Sequence, residues 1–375
     1  MIELRTDILG CELPSPLVLS SGPRSWGARG IWKAFRAGVG AVVTKTIRPT
    51  LPENPTPHID LIEAKGARHT LINAEEWSDV TWEAWVEEEL PFLAGHPGAL
   101  IVSVGHAAQD ITGFIDVLVQ SEAVDIIECV SYSAVAMPSL VKAVRRTTDL
   151  PILAKLSFNW GEELYTTAEK ALEAGCNGFT AIDSIGPALQ IDIESGQPSL
   201  GSEYGQGWLS GAAVKPISLA VVASLKRRFN RPVVGTGGVL SAEDAIEMTM
   251  AGADAVGVCS ASILYGYDWF SETLHDIKGW LREHGYSGLA EIRGCGLRGL
   301  PINKIGLGLE FHFDSMLCTL CQRCVEVCPY QARKVLGTKS RDKGIQMSLD
   351  AEKCRSCGLC SSVCVSHALT FDFIR

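Results

Sequence analysis

The sequence predicts an α/β protein, a (β/α)8 TIM barrel followed by a small C-terminal module rich in cysteine. Two observations predict this architecture. Over roughly the first 300 of the 375 residues, eight short apolar runs alternate with amphipathic stretches, as barrel strands and helices do. Eight of the 13 cysteines then occur between residues 318 and 364. The chain therefore combines a large parallel sheet with a second, cysteine-held domain.

The predicted strands share one composition. Each is short, almost continuously apolar and rich in β-branched residues, which is typical of parallel strands covered on both faces. Eight such strands within about 250 residues fit a closed barrel, and an open doubly wound sheet is the alternative. The runs are PLVLSSG (16–22), GAVVTKTI (40–47), ALIVSVG (99–105), VDIIECVS (124–131), PILAKLS (151–157), NGFTAID (177–183), PVVGTGG (232–238) and DAVGVCS (254–260).

The segments between the runs support this count. Residues 77–95 and 212–230 have helical spacing of apolar side chains, and the second segment ends in basic residues suited to a helix C-terminus. Residues 2–16 alternate and contain turn residues, which predicts a β-hairpin closing the barrel floor. Residues 187–208 are rich in Gly, Ser and Pro. They are too long for a minimal connection, so we expect them to help build the barrel mouth.

A change of composition near residues 295–312 predicts a linker. The predicted domains are therefore the barrel, residues 1–304, and the cysteine-rich module, residues 305–375. Within the module, we interpret residues 333–346 as a solvated loop in preference to a binding patch.

Charge and hydropathy limit the function. The formal net charge of -10 argues against binding to nucleic acid or an anionic membrane, which require a basic patch. No apolar run approaches the roughly 18 residues of a membrane span, and no signal peptide is apparent in MIELRTDILG. A reducing cytoplasm is expected, because the five cysteines outside the two runs are scattered. They are Cys11, Cys129, Cys176, Cys259 and Cys295.

Two cysteine runs, residues 318–329 and 354–364, share the spacing C-x2-C-x2-C-x3-C. This is the spacing of bacterial two-cluster ferredoxins, in which the fourth cysteine of each run ligates the other cluster. We expect a ferredoxin-like domain with two [4Fe-4S] clusters, and two zinc sites are the alternative. Pro329 follows the first run as the pattern requires, whereas Val365 follows the second. The predicted ligands are Cys318, Cys321, Cys324 and Cys364 for one cluster, and Cys354, Cys357, Cys360 and Cys328 for the other.

Small residues follow predicted strands seven and eight, in GTGG (235–238) and in Cys259 and Ser260. Loops at these places in a barrel frequently hold phosphate, and glycine lets backbone N–H groups approach it closely. A tight turn would explain GTGG equally well, but its position favours phosphate. The dinucleotide motif GxGxxG does not follow any predicted strand, so we expect flavin mononucleotide (FMN), which links electron-pair chemistry to one-electron clusters.

Two lysines, Lys45 in VVTK and Lys155 in ILAK, lie inside apolar runs and point toward the same end of the barrel. We expect each ammonium beside the flavin ring, where it would stabilise the negative charge that develops near N1 on reduction. The alternative is a lysine that extends to the rim.

These residues resemble the dihydroorotate dehydrogenase family, and the barrel joined to the two-cluster module resembles the FMN end of dihydropyrimidine dehydrogenase. The resemblance covers essentially the whole chain and is carried by VVTKTIRP, ENPTPH, LINA, KLS, GWLSGAAVKPISL, GTGG and GADAVGV. It implies an oxidoreductase acting on CH–CH groups. It also implies FMN contacts from Ser21, Gly22, Lys45, Asn73, Lys155, Ser210, Gly211, Gly237, Gly238, Cys259 and Ser260.

The chain departs from this family after predicted strand four. Family members have Asn-x-Ser-Cys-Pro or Asn-x-Ser-Ser-Pro there, and the Cys or Ser transfers the proton. In VSYSAVAMP (130–138), Val130 takes the place of Asn, Tyr132 that of Ser, and Ser133 that of the acid/base. Ser133 is thus the family-equivalent catalyst. The rival is His106, because imidazole titrates near neutral pH, although a structural role is the alternative. The third predicted catalytic residue is Lys45.

The predicted substrate contacts are Asn73, Tyr132, Asp183 and Ser184. Asp183 replaces a second substrate-binding Asn of the family, and Asn73 is followed by Glu75 and Glu76. These carboxylates would repel anionic orotate.

Strand alternation places Glu128 on the same face as Val130 and Tyr132, where it would be an ion-pair partner inside the barrel. Cys129 would point the other way and pack in the core.

The predicted reaction interconverts a C–C single and double bond beside a carbonyl or imine, in a small, cyclic, dihydropyrimidine-like substrate. Hydride would transfer at flavin N5 and a proton at the neighbouring carbon. The sequence has no recognisable nicotinamide site, so an NAD(P)-binding flavoprotein subunit or a ferredoxin is implied as electron partner, in a homo- or hetero-oligomer. Three alternatives stay open: an electron-transfer subunit of a larger redox complex, a reductase of a non-pyrimidine unsaturated substrate, and a nonredox protein with structural metal.

Overall fold

The computed structural model describes residues 2–62, 69–301, 308–337 and 344–374. The chain forms two compact units, Met1–Gly299 and Leu300–Arg375. The predicted domain boundary between residues 304 and 305 lies outside the described residues.

Eight parallel strands close into a barrel in the first unit, and each pairs with the strands before and after it in the sequence. The barrel closes where the last strand pairs with the first, with Gly257 opposite Val18. Every predicted run is confirmed as a strand, and the open sheet is excluded. The strands are Leu17–Leu19, Ala41–Val43, Ala99–Gly105, Ile126–Val130, Ile152–Leu156, Gly178–Ala181, Val233–Thr236 and Ala255–Val258.

A β-hairpin closes the floor of the barrel, as predicted. Thr6–Ile8 pairs antiparallel with Cys11–Leu13. Ile8 and Leu13 are fully buried in one cluster with inward-facing strand residues such as Val18. Burial of each such aliphatic side chain contributes about 1.5–3 kcal/mol.

Helices cover the outside of the barrel. The segment predicted to be helical over 77–95 runs from Trp82 to Leu93 with a π-helical turn at Trp85–Glu89. The Trp85 indole is buried and donates to Ser78 Oγ at 2.9 Å, so Trp85 packs in the core, and the partly buried Trp82 and Val86 pack against it. The other α-helices of this unit are Ala28–Arg36, Ile115–Leu118, Ala136–Arg145, Glu163–Glu173, Lys215–Phe229, Ala242–Met250, Ser260–Tyr265, Asp268–Glu283, Leu289–Ile292 and Cys295–Arg298.

A four-stranded antiparallel sheet, the cap sheet, joins the segment after strand two to the segment after strand six. Its strands, in spatial order, are Ile185–Leu189, Gln206–Gly211, Thr70–Asn73 and Ile59–Ile62. The sequence predicted a long mouth segment over residues 187–208 but no strands there. Gly, Ser and Pro interrupt the alternation of apolar and polar residues that indicates a strand.

Over residues 308–337 and 344–374, the second unit contains two antiparallel strand pairs and two one-turn helices, one within each cysteine run. Gly308–Phe313 pairs with Leu369–Ile374, and Arg333–Leu336 pairs with Gln346–Leu349. The helices are Arg323–Glu326 and Leu359–Ser362.

Two sequence predictions for this part of the chain need correction. The solvated loop predicted over 333–346 begins as a strand, because Arg333 is buried with its guanidinium 4.5 Å from the Phe311 ring centroid. The linker predicted over 295–312 starts in a helix and ends in a strand, and residues 302–307 lie outside the described residues. In the described ranges, no helix has the length and apolarity needed to cross a bilayer.

Candidate active site

A cavity at the carboxyl ends of the barrel strands gathers most of the predicted site residues. It is lined by residues that end or follow each strand, together with residues of the cap sheet. Convergence at this end of a barrel is what the fold dictates, since strand carboxyl ends share one face. The predicted residues that line the cavity are Ser21, Gly22, Lys45, Asn73, His106, Tyr132, Lys155, Asp183, Ser184, Ser210, Gly237, Gly238, Cys259 and Ser260.

The loop after strand seven forms one wall, and both of its glycines have a backbone conformation that disfavours side chains. Gly237 and Gly238 have φ of +113° and +83°, and a Cβ built at Gly238 would lie 2.6 Å from Lys215 N. Lys215 Nζ contacts Asp244 Oδ1 at 2.8 Å, and Asp244 also accepts the Leu240 N–H at 2.8 Å. These contacts fix a loop whose backbone is open to a ligand.

The loops after strands one and eight complete this wall. A Cβ at Gly22 would lie 2.7 Å from Cys259 Sγ, so the two loops touch there and a side chain at Gly22 would displace the thiol. Ser260 Oγ donates to Ser210 Oγ at 3.0 Å, which joins the last barrel loop to the cap sheet. Small residues and hydroxyls on several loops are the donor set that a phosphate ester requires.

Each cavity lysine is paired with a carboxylate. Lys45 is 3% exposed, and its Nζ lies 3.2 Å from Glu75 Oε1 and donates to the Glu76 carbonyl at 2.6 Å. Lys155 Nζ lies 3.0 Å from Asp183 Oδ1. Burial alone would lower the pKa of Lys155, but the neighbouring carboxylates raise it above its usual value, so the ammonium keeps its charge. Neither lysine extends to an exposed rim.

Glu128 lies deep in the cavity with Val130 and Tyr132, on the face that strand alternation predicts. It is 1% exposed, and Thr180 Oγ1 donates to its Oε2 at 2.6 Å. Burial raises the pKa of Glu128, although the charge of Lys155 opposes this. Cys129 packs in the outer core, as predicted.

Four aromatic rings form a continuous series along the cavity, the aromatic wall of Trp77, His106, Tyr132 and Trp208. The Trp77 and His106 ring centroids are 5.8 Å apart, those of His106 and Tyr132 4.2 Å, and those of Tyr132 and Trp208 6.1 Å with nearly parallel planes. Neither tryptophan was predicted as a site residue. Both could have been suspected from their neighbours in the sequence, since Trp77 follows Glu76 and Trp208 is two residues before Ser210.

His106 lies in this wall, but not as a group that titrates near neutral pH. Its pKa is lowered to about 4, first by burial and then by the charge of Arg48. Arg48 pairs with Asp110 at 2.9 Å, and Asp110 accepts the His106 backbone N–H at 2.8 Å. Titration near neutrality, which was the reason for predicting His106 as an acid/base, is therefore not supported.

Stability should depend on His106 at acidic pH. Its pKa is about 4 in the folded chain and about 6.5 unfolded, so protonation favours unfolding. Its contribution is complete above about pH 6.5 and is lost as pH falls toward 4. Between about pH 6.5 and 4 the unfolding free energy of wild type should decrease, and in His106→Gln this decrease should be smaller by about 1–3 kcal/mol. Urea unfolding at each pH measures the difference. The control is exposed His275→Gln, and parallel curves for wild type and His106→Gln would contradict the expectation.

Two predicted residues are not in the cavity lining, among the residues the structure describes. Ser133 is exposed, and its Oγ accepts the Ala136 N–H at 3.3 Å at the start of a helix. The helix begins close after strand four, and this turns the hydroxyl toward the helix N-terminus. Gly211 is buried at the end of a cap-sheet strand, where a Cβ would lie 2.8 Å from the His69 carbonyl oxygen.

The eight cysteines of the second unit line two separate cavities. Each cavity is lined by three cysteines of one run and one cysteine of the other run. None of the eight forms a disulfide. Among the described residues, no three metal-ligating side chains lie close enough together to bind a single metal ion. Each set of cysteines instead surrounds a cavity. One cavity is lined by Cys318, Cys321, Cys324 and Cys364, and the other by Cys328, Cys354, Cys357 and Cys360.

The two cysteine-lined cavities are also lined with apolar side chains. Backbone N–H groups point at sulfur, from Ala332 to Cys328 Sγ and from Ser356 to Cys354 Sγ, both at 3.4 Å. Such bonds and an apolar surround suit iron–sulfur clusters. Val365, which departs from the expected proline, is 72% exposed and does not line either cavity.

Comparison with known proteins matches both units. Residues 3–281 match the dihydroorotate dehydrogenase family model, and residues 317–368 match the 4Fe-4S dicluster domain. Dihydroorotate dehydrogenase B (NAD(+)), catalytic subunit, of Pyrococcus abyssi is 34% identical over 314 residues, covering 79% of this chain and 99% of the relative. The protein of the same name from Methanothermobacter thermautotrophicus is 31% identical, covering 78% and 97%. About a fifth of this chain has no counterpart in these relatives.

Proposed function

Since this chain belongs to the dihydroorotate dehydrogenase family and is an oxidoreductase acting on CH–CH groups, we propose that it interconverts a single and a double bond next to a carbonyl or imine. The proposed substrate is small, cyclic and dihydropyrimidine-like. The main support for this proposal is that two buried lysines, Asn73 and the glycine loops line one cavity. The proposed cofactors are FMN in this cavity and two [4Fe-4S] clusters.

The barrel residues fit FMN in three ways. A Cβ at Gly238 would clash with Lys215 N, a Cβ at Gly22 would press on Cys259 Sγ, and Gly237 has a φ of +113° that disfavours side chains. We expect the backbone at these glycines to contact the phosphate. Ser210 and Ser260 offer hydroxyls, and Lys45 and Lys155 supply positive charge for the flavin ring. When bound, FMN supplies transfer of electron pairs to the substrate and the clusters carry single electrons.

Proton transfer needs a group that reaches the substrate and holds its proton at neutral pH. Ser133 lies outside the described cavity lining, and His106 is neutral there. Tyr132 lines the cavity, and its pKa is raised to about 12, first by desolvation and then by the charge of Asp183. More than half of its side chain is exposed, which argues for a smaller shift, but an unperturbed phenol also stays protonated at pH 7. We propose Tyr132 as the proton donor.

A separate electron partner completes the proposal. The relatives are named as catalytic subunits of an NAD(+) enzyme, and this sequence has no recognisable nicotinamide site. We propose an NAD(P)-binding flavoprotein subunit or a ferredoxin as partner, in a homo- or hetero-oligomer in the cytoplasm.

The test uses the full chain purified under nitrogen. Iron, acid-labile sulfide and FMN are expected near eight, eight and one per chain, from the ligand counts. Zinc without flavin would overturn the proposal. The protein is then reduced with dithionite and mixed with neutral unsaturated pyrimidines, and reoxidation of the flavin is followed by absorbance.

A second candidate function, electron relay within a larger complex, is favoured by one observation. Val130 stands where the family has a substrate-binding Asn, so a substrate contact is missing. A relay would exchange electrons with a ferredoxin but would not be reoxidised by any unsaturated substrate.

Gly238 provides a test of the proposed phosphate site. Gly238→Ala is expected to lower FMN occupancy severalfold and the unfolding free energy by about 1–3 kcal/mol, because a Cβ is strained at positive φ and would clash with Lys215 N. The measurements are the flavin-to-protein absorbance ratio and urea unfolding. Gly279→Ala is the control, since nothing lies within 4 Å of its Cβ position, and it should stabilise its helix by about 0.5–1 kcal/mol. Full FMN occupancy in Gly238→Ala would place the phosphate elsewhere.

A further inference from the structure

The charges of the cavity do not cancel. The lysines that line it, Lys45 and Lys155, are each matched by a carboxylate, Glu75 and Asp183. Glu76 also lines the cavity, and its carboxylate has no ion-pair partner among the residues that the structure describes. The cavity therefore has one carboxylate in excess, apart from Glu128, which lies deepest and whose protonated form is favoured by burial.

Glu76 lies close to the aromatic wall. Glu76 and the four rings of the aromatic wall line the same cavity, and the charge of Glu76 is one of the causes that raise the pKa of Tyr132. Glu76 also precedes Trp77 in the chain, and its backbone N–H is held by Asn54 Oδ1 at 2.8 Å. An unpaired carboxylate thus lies at the edge of a surface made of ring faces.

Ring faces and carboxylates prefer the same kind of ligand. Aromatic faces stack on flat rings and attract cations, and a half-buried carboxylate needs N–H donors or positive charge. A ligand carboxylate would meet Glu76 and Asp183 and would find no unpaired lysine among the described lining residues. A close pair of like charges in a partly buried site is strongly unfavourable.

From these contacts, we infer that the substrate of this cavity is a planar, nitrogen-bearing ring without a carboxylate, which stacks on the aromatic wall and directs N–H donors or a positive charge at Glu76. This inference rests on the proposed function and deepens it. Glu76 is the specificity-determining residue. An anionic ligand gains little from Lys155, because Asp183 already pairs with its ammonium.

Three planar probes of nearly equal shape test the charge preference: benzamidinium, benzamide and benzoate. Their affinities for the FMN-loaded chain are measured by calorimetry, with quenching of tryptophan fluorescence to report on Trp77 and Trp208. Benzamidinium is expected to bind at least about tenfold more tightly than benzoate, with benzamide between them. Benzoate binding as tightly as benzamidinium, or no binding by any probe at millimolar concentration, would overturn the inference.

The variant Glu76→Gln tests whether the preference for benzamidinium comes from the Glu76 carboxylate. It should weaken benzamidinium about fivefold to tenfold and leave benzamide within about twofold. Glu83→Gln, an exposed carboxylate outside the cavity lining, is the matched control and should change neither. An unchanged preference in Glu76→Gln would remove Glu76 from the inference. FMN and iron are measured in the same preparation, so absence of cofactor refutes the proposed function, whereas a loaded chain that prefers benzoate refutes this inference alone.

Discussion

Tyr132→Phe is expected to slow reoxidation of the dithionite-reduced protein by its substrate about 10²- to 10⁴-fold, the usual worth of a positioned proton donor. The substitution removes the hydroxyl and keeps the ring that lies 4.2 Å from His106 and 6.1 Å from Trp208, centroid to centroid. FMN and iron content should therefore be unchanged. Stopped-flow absorbance of the flavin measures the rate.

The matched control is the neighbouring Ser133→Ala. Because Ser133 lies outside the described cavity lining, we expect its rate within about twofold of wild type, against the 10²-fold or greater loss for Tyr132. The opposite pattern, slow Ser133→Ala and fast Tyr132→Phe, would restore the assignment that the family resemblance implies.

The pH profile gives a second readout. The raised pKa of Tyr132, and even the ordinary pKa of about 10 of a phenol, keep its hydroxyl protonated from about pH 6 to 9. The wild-type rate should therefore be flat from about pH 6 to 9, with no inflection from His106, whose pKa is about 4. A bell-shaped profile centred near pH 7 would point to another donor.

Paired cysteine substitutions should show which thiolates share a cluster. Cys318→Ser with Cys364→Ser removes two ligands of one predicted cluster and should leave about four irons per chain. Cys318→Ser with Cys328→Ser damages both clusters and should leave close to none. The reason is that the structure places Cys364 with the first run and Cys328 with the second.

Iron and acid-labile sulfide, measured on anaerobic protein, distinguish the two pairs of substitutions. Cys295→Ser, outside both runs, is the control and should retain about eight irons. If the pair Cys318→Ser and Cys328→Ser kept four irons, each run would hold its own cluster and the exchange of ligands between runs would be wrong.

Much of the fold was predictable because local pattern and global architecture agree. The strand Ala41–Val43 is apolar and buried on both faces of the sheet. Eight short runs of this kind are compatible with few architectures. The position of Cys328 beside the second run and of Cys364 beside the first was predictable too, because the spacing is that of two-cluster ferredoxins. The exchange of cluster ligands itself stays a prediction. The hairpin at Thr6–Ile8 was found from alternation and turn residues.

The site was harder to predict from sequence, because its walls come from segments far apart in the chain. Trp208 reaches Tyr132 from a cap-sheet strand, and Trp77 contacts His106 at the other end of the aromatic wall. No local sequence pattern predicts either contact. The orientation of Ser133 depends on where the next helix begins. The pKa of His106 depends on burial and on Arg48, both tertiary properties.

The exchange of cysteines between the two runs has a consequence for synthesis of the chain. If the two cavities hold the clusters, the ligand set of the second run is complete once Cys360 has been made, since Cys328 precedes it. The set built around the first run waits for Cys364. The cluster site that begins first along the chain is thus finished last. A chain that stopped after the first run would present four thiols that belong to two different sites and complete neither.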